Sequence, residues 1–333
     1  MSATAAPRTT TRVPHRRSTA AWTLGAPALV VAVTLALTLA WRPDLPDPVA
    51  VHWGPDGTDG YSPLLPFVLA MLALIAVGAV AFWALGTFLG RAAMTRRLAN
   101  GTAVWFSVFL ASVLLTTLDA QRGLLDASAA VVGDALLTMS LVVASVTGAI
   151  AAALTPPDQA QPTSAPVPAG ATTLPLGEQE HAVWVRDVGR RSSVPLVAGA
   201  VAFASLIGAA TGLWLFAAVL ALALSLLLVT MLRWDVTVSS DGMTARSLLG
   251  RPRVHVPLDE VERAELIDID PFREFGGWGL RTGVDGRTGI VLRKGPAIEV
   301  HRTGGRIVVV TVEDAATGVA LLNTLAARGR VEH

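Results

Sequence analysis

Apolar runs long enough to cross a bilayer, separated by short polar segments, occupy the chain as far as residue 232, after which the pattern changes to short alternating stretches. Four runs, Trp22 to Trp41, Leu64 to Gly90, Thr102 to Leu118 and Ala135 to Leu154, contain no Asp, Glu, Lys, Arg or His. At a rise of about 1.5 Å per residue each matches or nearly matches the hydrocarbon thickness. Val194 to Leu232 is also uncharged and long enough for two crossings, with the small residues from Gly208 to Gly212 near its middle offering a turn. The pattern therefore predicts six transmembrane helices, the last two as a tight hairpin. Arg16-Arg17 ahead of the first run admits a secretory signal peptide. The run is long for a signal core and no small-x-small cleavage site follows it, so a retained anchor is expected.

Between the first two runs lies Leu45 to Tyr61, LPDPVAVHWGPDGTDGY, whose three prolines and three glycines exclude a continuous helix. A structured turn at a membrane surface is predicted. Pro46, Pro48 and Pro55 stiffen it, Gly57 and Gly60 are expected to take positive φ, and Asp56 and Asp59 to accept backbone hydrogen bonds. His52 and Trp53 then anchor the mouth of the span. The chemical alternative is a metal site or a pH-sensitive latch built from His52, Asp56 and Asp59. One nitrogen donor falls short of the three or four convergent ligands that metals need, so no metal and no cofactor is assigned.

The polar segments divide the rest. Residues 1–20 carry Ser, Thr, Ala and arginines without apolar periodicity and read as a disordered tail. Residues 21–154 form a four-span membrane unit, and 155–177, rich in Pro, Ala, Thr and Gln, a partly extended linker. Residues 178–232 comprise a juxtamembrane segment and the two-span hairpin. At helical spacing Arg186, Arg190 and Arg191 share one face beside Trp184 and Val188, as an interfacial helix touching lipid headgroups would; arginines flanking a span are the plainer reading.

From Arg233 to residue 333, alternation in 234–238, 254–256, 261–269, 290–293, 298–301 and 307–311 predicts an antiparallel sheet. A closing helix follows, with Glu313-Asp314 at its start and Val319, Leu322 and Leu325 as its apolar stripe. Phe275-Gly276-Gly277-Trp278-Gly279 lacks the lysine and helix of a phosphate loop and is expected to be a bent or bulged strand. Arg273, Arg281, Arg287, Arg293 and Lys294 offer an anion site in principle, and solvated strand-edge charges are the expected reading.

Composition supports this picture. The chain has 333 residues, 52% hydrophobic and 15% charged, as a membrane protein does. There is no cysteine, which excludes thiolate chemistry and disulfides, and a formal charge of +1 gives no field for nucleic acid. Arginines gather in the tail and after the second and fourth runs, whereas the loops after the first and third hold only Arg42 and Arg122. The positive-inside rule then puts both termini in the cytoplasm and loop 45–61 outside. Spans without ionisable residues disfavour ion-coupled carriers and intramembrane proteases.

Leu45, Pro46, His52, Trp53, Gly57, Asp59, Gly60 and Tyr61 resemble the signature of a bacterial membrane domain known from SdpI-type immunity proteins, the domain of unknown function DUF1648, over roughly residues 20–90. Ala50 stands where the family usually has proline, and the Gly57 to Asp59 spacing is one residue shorter. The last hundred residues are similar in pattern to a bacterial pleckstrin-homology-like (PH-like) domain. The resemblance implies a multipass protein of the cytoplasmic membrane engaged in toxin immunity or signalling, with no catalytic residues. The expectation is a non-enzymatic α-helical multipass membrane protein with a β-rich PH-like domain. Its ligand or partner loop comprises Pro46, His52, Trp53, Asp56, Gly57, Asp59, Gly60 and Tyr61. The partners expected are the lipid bilayer, an extracytoplasmic peptide or protein and a cytoplasmic protein. A transporter or channel-like component is the alternative.

Overall fold

The computed structural model describes residues 13–54, 57–131, 133–177, 180–189 and 193–331. Among them, six helices are long and apolar enough to cross a membrane: α1 (Arg16–Asp44), α2 (Leu64–Phe88), α3 (Ala93–Asp119), α4 (Asp134–Ala153), α5 (Val194–Thr211) and α6 (Trp214–Leu232). Leu29, Leu65, Leu69, Val77, Leu206 and Leu222 lie exposed on their outer faces. Helices carrying such surfaces, with every backbone group satisfied internally, suit lipid and define a multipass membrane region.

Two boundaries differ from expectation. α1 starts at Arg16, so the last residues of the expected disordered tail are helical; residues 1–12 lie outside the described residues. A π-helical turn over Ala21–Gly25 precedes Pro27, whose missing N–H disturbs the regular ladder. α3 starts at Ala93, which takes Arg96 and Arg97 into the helix instead of leaving them between spans.

α3 packs against α1, α2 and α4. It approaches α4 closely where Gly101 faces Gly148: an added Cβ would stand 3.0 Å from the Gly148 carbonyl oxygen at the first and 2.9 Å from the Gly101 carbonyl oxygen at the second. Small residues permit this backbone proximity where lipid supplies no hydrophobic driving force. The α5–α6 hairpin is tied to this unit by Asp134, whose carboxylate accepts from the backbone N–H groups of Leu215 (2.6 Å) and Phe216 (2.8 Å). An anion at the first turn of α6 satisfies otherwise orphaned donors and complements the helix dipole.

The polar loop folds as an antiparallel ribbon of β1 (Val49–Gly54) and β2 (Gly57–Ser62). The C-terminal region contains two sheets. β3 (Trp184–Gly189), β4 (Arg233–Ser239), β5 (Gly242–Ser247) and β6 (Arg253–Val256) form one, in that order. β7 (Val261–Ile269), β8 (Gly279–Thr282), β9 (Thr288–Val291), β10 (Gly295–Arg302) and β11 (Arg306–Thr311) form the other, in the order β7-β10-β11-β9-β8. All pairs are antiparallel except β9 with β11.

Trp184–Gly189, where an interfacial helix is one of the two readings of the sequence, form strand β3. Trp184 pairs with Val238 and Gly189 with Arg233, so the membrane hairpin α5–α6 is inserted between two neighbouring strands of one sheet. The glycine-rich run is not a bulged strand either. A short helix, α7 (Pro271–Phe275), is capped by Asp270 and stopped by Gly276 at φ 69°, a left-handed position suited to glycine.

α8 (Ala315–Val331) closes the domain with Val319, Leu322 and Leu325 buried, against Trp234, Val236, Val238, Ile298, Val300 and Val310. The segment 155–177 is irregular, yet it is bound to the domain. Thr163 N–H donates to Asp259 at 2.7 Å, and the buried Asn323 amide donates to Thr172 O and Ala264 O, both at 3.0 Å, and accepts from Ala264 N–H at 2.8 Å.

Candidate functional site

Two apolar side chains, with polar contacts around them, seat the β1–β2 ribbon on the helix bundle. Val49 is fully buried against Leu64, Val68, Leu114 and Leu118, and Ala50 packs with Ala127 and Ala130. Asp47 turns its carboxylate onto the Leu64 N–H at the start of α2, at 3.1 Å. Gln121, just beyond α3 and fully buried, accepts from Ala50 N–H at 2.7 Å and donates to Ala50 O and Thr117 O, both at 2.9 Å. Trp53 donates its indole N–H to Ala130 O at 2.9 Å, and the Thr58 hydroxyl reaches the same carbonyl at 3.3 Å. Trp53 thus ties the ribbon to the α3–α4 loop.

The opposite face of the ribbon is exposed. His52 Nδ1 meets Asp59 Oδ1 at 2.5 Å, with both side chains more than half exposed. Tyr61 is also exposed, its hydroxyl donating to Thr58 O at 3.3 Å. Gly57 has φ 113°, as expected, whereas Gly60 does not have positive φ. Gly60 instead leaves room for His52 across the ribbon, since a Cβ there would stand 2.7 Å from the histidine Cβ. Pro46 precedes the ribbon and Asp56 lies outside the described residues. His52, Asp59 and Tyr61 therefore form a polar surface patch rather than an enclosed pocket, and Asp59 pairs with histidine instead of capping a turn.

A second polar assembly lies at the other end of α3. Arg96 is fully buried and donates to Gly90 O (2.9 Å), Arg91 O (3.1 Å), Pro156 O (3.2 Å) and Asp158 Oδ1 (3.1 Å). Asp158 also accepts from Ala93 N–H at 2.7 Å, at the start of α3, and stands 3.5 Å from Arg306. Arg306 pairs with Glu260 at 2.9 Å, and Glu260 pairs with Arg302. Glu260 also accepts from Gln161 N–H at 3.0 Å. Ion pairs and hydrogen bonds thus run from a membrane-spanning helix through the linker into the β domain. Burial raises the Glu260 pKa, but the hydrogen bond and charge of Arg302, followed by Arg306, outweigh it and hold it below the usual carboxylate range.

Arg186 is not on a helix. It lies on β3, pairs with Asp314 at 2.6 Å and stacks on Trp184. Arg190 and Arg191 lie outside the described residues. The arginines of the second sheet are spent on local partners: Arg287 reaches Glu274, Asp285 and Glu299 at 2.6–2.9 Å, Arg293 reaches Glu313 and Lys294 reaches Asp270.

Glu265, Glu299 and His301 converge closely enough to hold a metal ion. Here His301 already bonds Glu299 at 2.9 Å, and Glu299 also receives Arg287. Within the spans, the hydroxyls of Thr23, Thr34, Thr38 and Ser107 each bond a carbonyl of their own helix.

Residues 29–77 match the family described as Domain of unknown function (DUF1648). The match covers the second half of α1, the ribbon and half of α2, a narrower extent than the sequence resemblance. No match was found among curated proteins or among solved structures.

Proposed function

We propose that this is a non-enzymatic membrane protein that recognises a peptide or protein through the His52–Asp59–Tyr61 surface and passes the event to its β domain. α3 carries this reading. Just past one end Gln121 holds the ribbon, and near the other Arg96 holds the linker and, through Asp158, the β domain. At about 1.5 Å per residue, its 27 residues span about 40 Å. A helix fixed at both ends translates or rotates as one body, so displacement of the ribbon has a direct route to the far side.

Arginine placement supports an extracytoplasmic ribbon with the β domain and both termini in the cytoplasm. Two sheets closed by one helix support the PH-like reading of that domain, which then serves as the contact for a cytoplasmic protein. Toxin immunity or envelope signalling of the SdpI type is the role we infer, from the DUF1648 match and the exposed loop. The transporter alternative has less support, because the span hydroxyls named above bond back to their own helices.

A Ser62→Cys protein, altered beside the surface at the end of β2 and not within it, tests the proposal, since the chain has no native cysteine. A membrane-impermeant maleimide carrying a photocrosslinker is applied to intact cells. Labelling from outside and one discrete polypeptide adduct, lost in the His52→Ala background, is the expected result. Labelling only after permeabilisation, or no adduct, contradicts it.

A further inference from the structure

A cavity of about 380 Å³ lies where α3 meets the β domain, lined by Met94 and Arg97 of α3, Arg253 and His255 of β6, Thr288 of β9 and Arg302 of β10. From this we propose a binding site for a phosphate group, carried either by an anionic lipid headgroup or by a soluble phosphorylated molecule.

Charge balance is the first argument. Arg97, Arg253 and Arg302 line the cavity together with the two carboxylates Asp158 and Glu260, and Arg96 and Arg306 pair with those carboxylates from behind. Both carboxylates are already engaged by Arg96, Arg306 and Arg302. The surplus positive charge invites an anion from outside the chain.

Unmet hydrogen bonding is the second. Thr288 is 2% exposed and its hydroxyl has no partner; Arg302 is 7% exposed and its Nε has none. Nε of Arg97 is likewise buried and unpartnered. Buried donors without acceptors cost about 1–3 kcal/mol each, so three beside one cavity mark a place where an acceptor-rich group belongs. A phosphate offers several acceptor oxygens in a compact volume, and planar guanidinium forks match it geometrically.

Size and position agree. The cavity is within the range of ligand pockets and exceeds what one phosphate fills, leaving room for the group that carries it. Arg97 lies in the second turn of a membrane-spanning helix, which puts the site within reach of headgroups and of aqueous solutes. Burial, then Arg253 and Arg302, holds the His255 pKa below its ordinary value, as an electropositive cavity should. The site stands apart from the ribbon, so it is tested independently of the loop's partner.

The experiment uses the full-length protein in neutral detergent, with thermal unfolding and equilibrium binding as readouts. The probes are inorganic phosphate and water-soluble dihexanoyl phosphatidic acid, with dihexanoyl phosphatidylcholine as the control. We expect phosphate or phosphatidic acid to raise the unfolding temperature. An Arg97→Gln, Arg253→Gln double variant should weaken binding at least tenfold. Thr288→Val should weaken it severalfold without lowering the unliganded unfolding temperature, because the variant removes an unpaired buried hydroxyl rather than a packed group. Phosphatidic acid acting far below the concentration of inorganic phosphate assigns the lipid source; equal potency assigns the soluble one. No stabilisation by either probe, or stabilisation unchanged in both variants, overturns the proposal.

Discussion

Gln121 grips both backbone groups of Ala50, accepting from its N–H at 2.7 Å and donating to its carbonyl at 2.9 Å, so a side chain beyond α3 pairs with β1 as a neighbouring strand would. Ala50 is fully buried. Gln121→Leu keeps the bulk and leaves both groups unpaired, at about 1–3 kcal/mol each. Faster deuterium exchange across residues 49–62 and a lower unfolding temperature are expected. Unchanged exchange there would show that water replaces the amide freely.

Asp158 is the corresponding contact at the far end. Asp158→Ala strands the buried Arg96, and breaking one partner of a buried pair costs about 3–5 kcal/mol. Adding Arg96→Met should recover part of that loss, because an apolar replacement removes the uncompensated charge. The check is a double-mutant cycle read by thermal unfolding. Additive losses would mean that the pair is not coupled.

Asp134 caps α6 from the neighbouring helix. Asp134→Ala should lower stability by about 1 kcal/mol, as loss of an N-cap does. Asp134→Asn, which keeps an acceptor, should lose less. Disulfide trapping between cysteines introduced into α4 and α6 reads the result, with slower trapping in the alanine variant. Equal trapping rates in both variants would deny the cap a role in docking the hairpin.

Acid should destabilise the β domain in two stages. His255 has a depressed pKa, so below about pH 6.5 the unfolded chain takes up a proton that the native state refuses, and stability falls from pH 7 toward 5. Glu299 is held low by its hydrogen bond from His301, against burial and with help from Arg287, and Glu260 is held low by Arg302 and Arg306. Their contribution is present above about pH 4.3 and is lost as pH drops through the folded values. Thermal unfolding in phosphate-free buffer checks this. His255→Gln should abolish the upper stage alone, and a flat profile between pH 7 and 5 would contradict the assignment.

Six spans were legible because uncharged apolar runs of that length have few other uses, β4 and β6 because alternate residues are buried, and β9 and β10 because residues buried on both faces make short continuous apolar runs. β3 was not. Its buried residues are Trp184 and Val188, four apart, which on a short edge strand imitates a helix, and its partner β4 comes only after the membrane hairpin. Arg96 read as a loop charge because nothing in a sequence reveals that Gly90, Arg91 and Pro156 turn their carbonyls toward one point. The linker's hold on the β domain includes backbone hydrogen bonds, to which composition is blind. Bulges between Ala50 and Trp53 obscured the ribbon's alternation, and no pattern marks Gln121.

Transmission through α3 is the central claim, and hydrogen–deuterium exchange at the end remote from the ribbon tests it most directly. Gln121→Leu is compared with Leu69→Ala, a substitution on the exposed face of α2. The account predicts that Gln121→Leu speeds exchange in residues 155–165, around Asp158 and Gln161, while Leu69→Ala leaves that segment unchanged. Loosening confined to residues 49–62, with residues 155–165 as protected as in the unaltered protein, would contradict it.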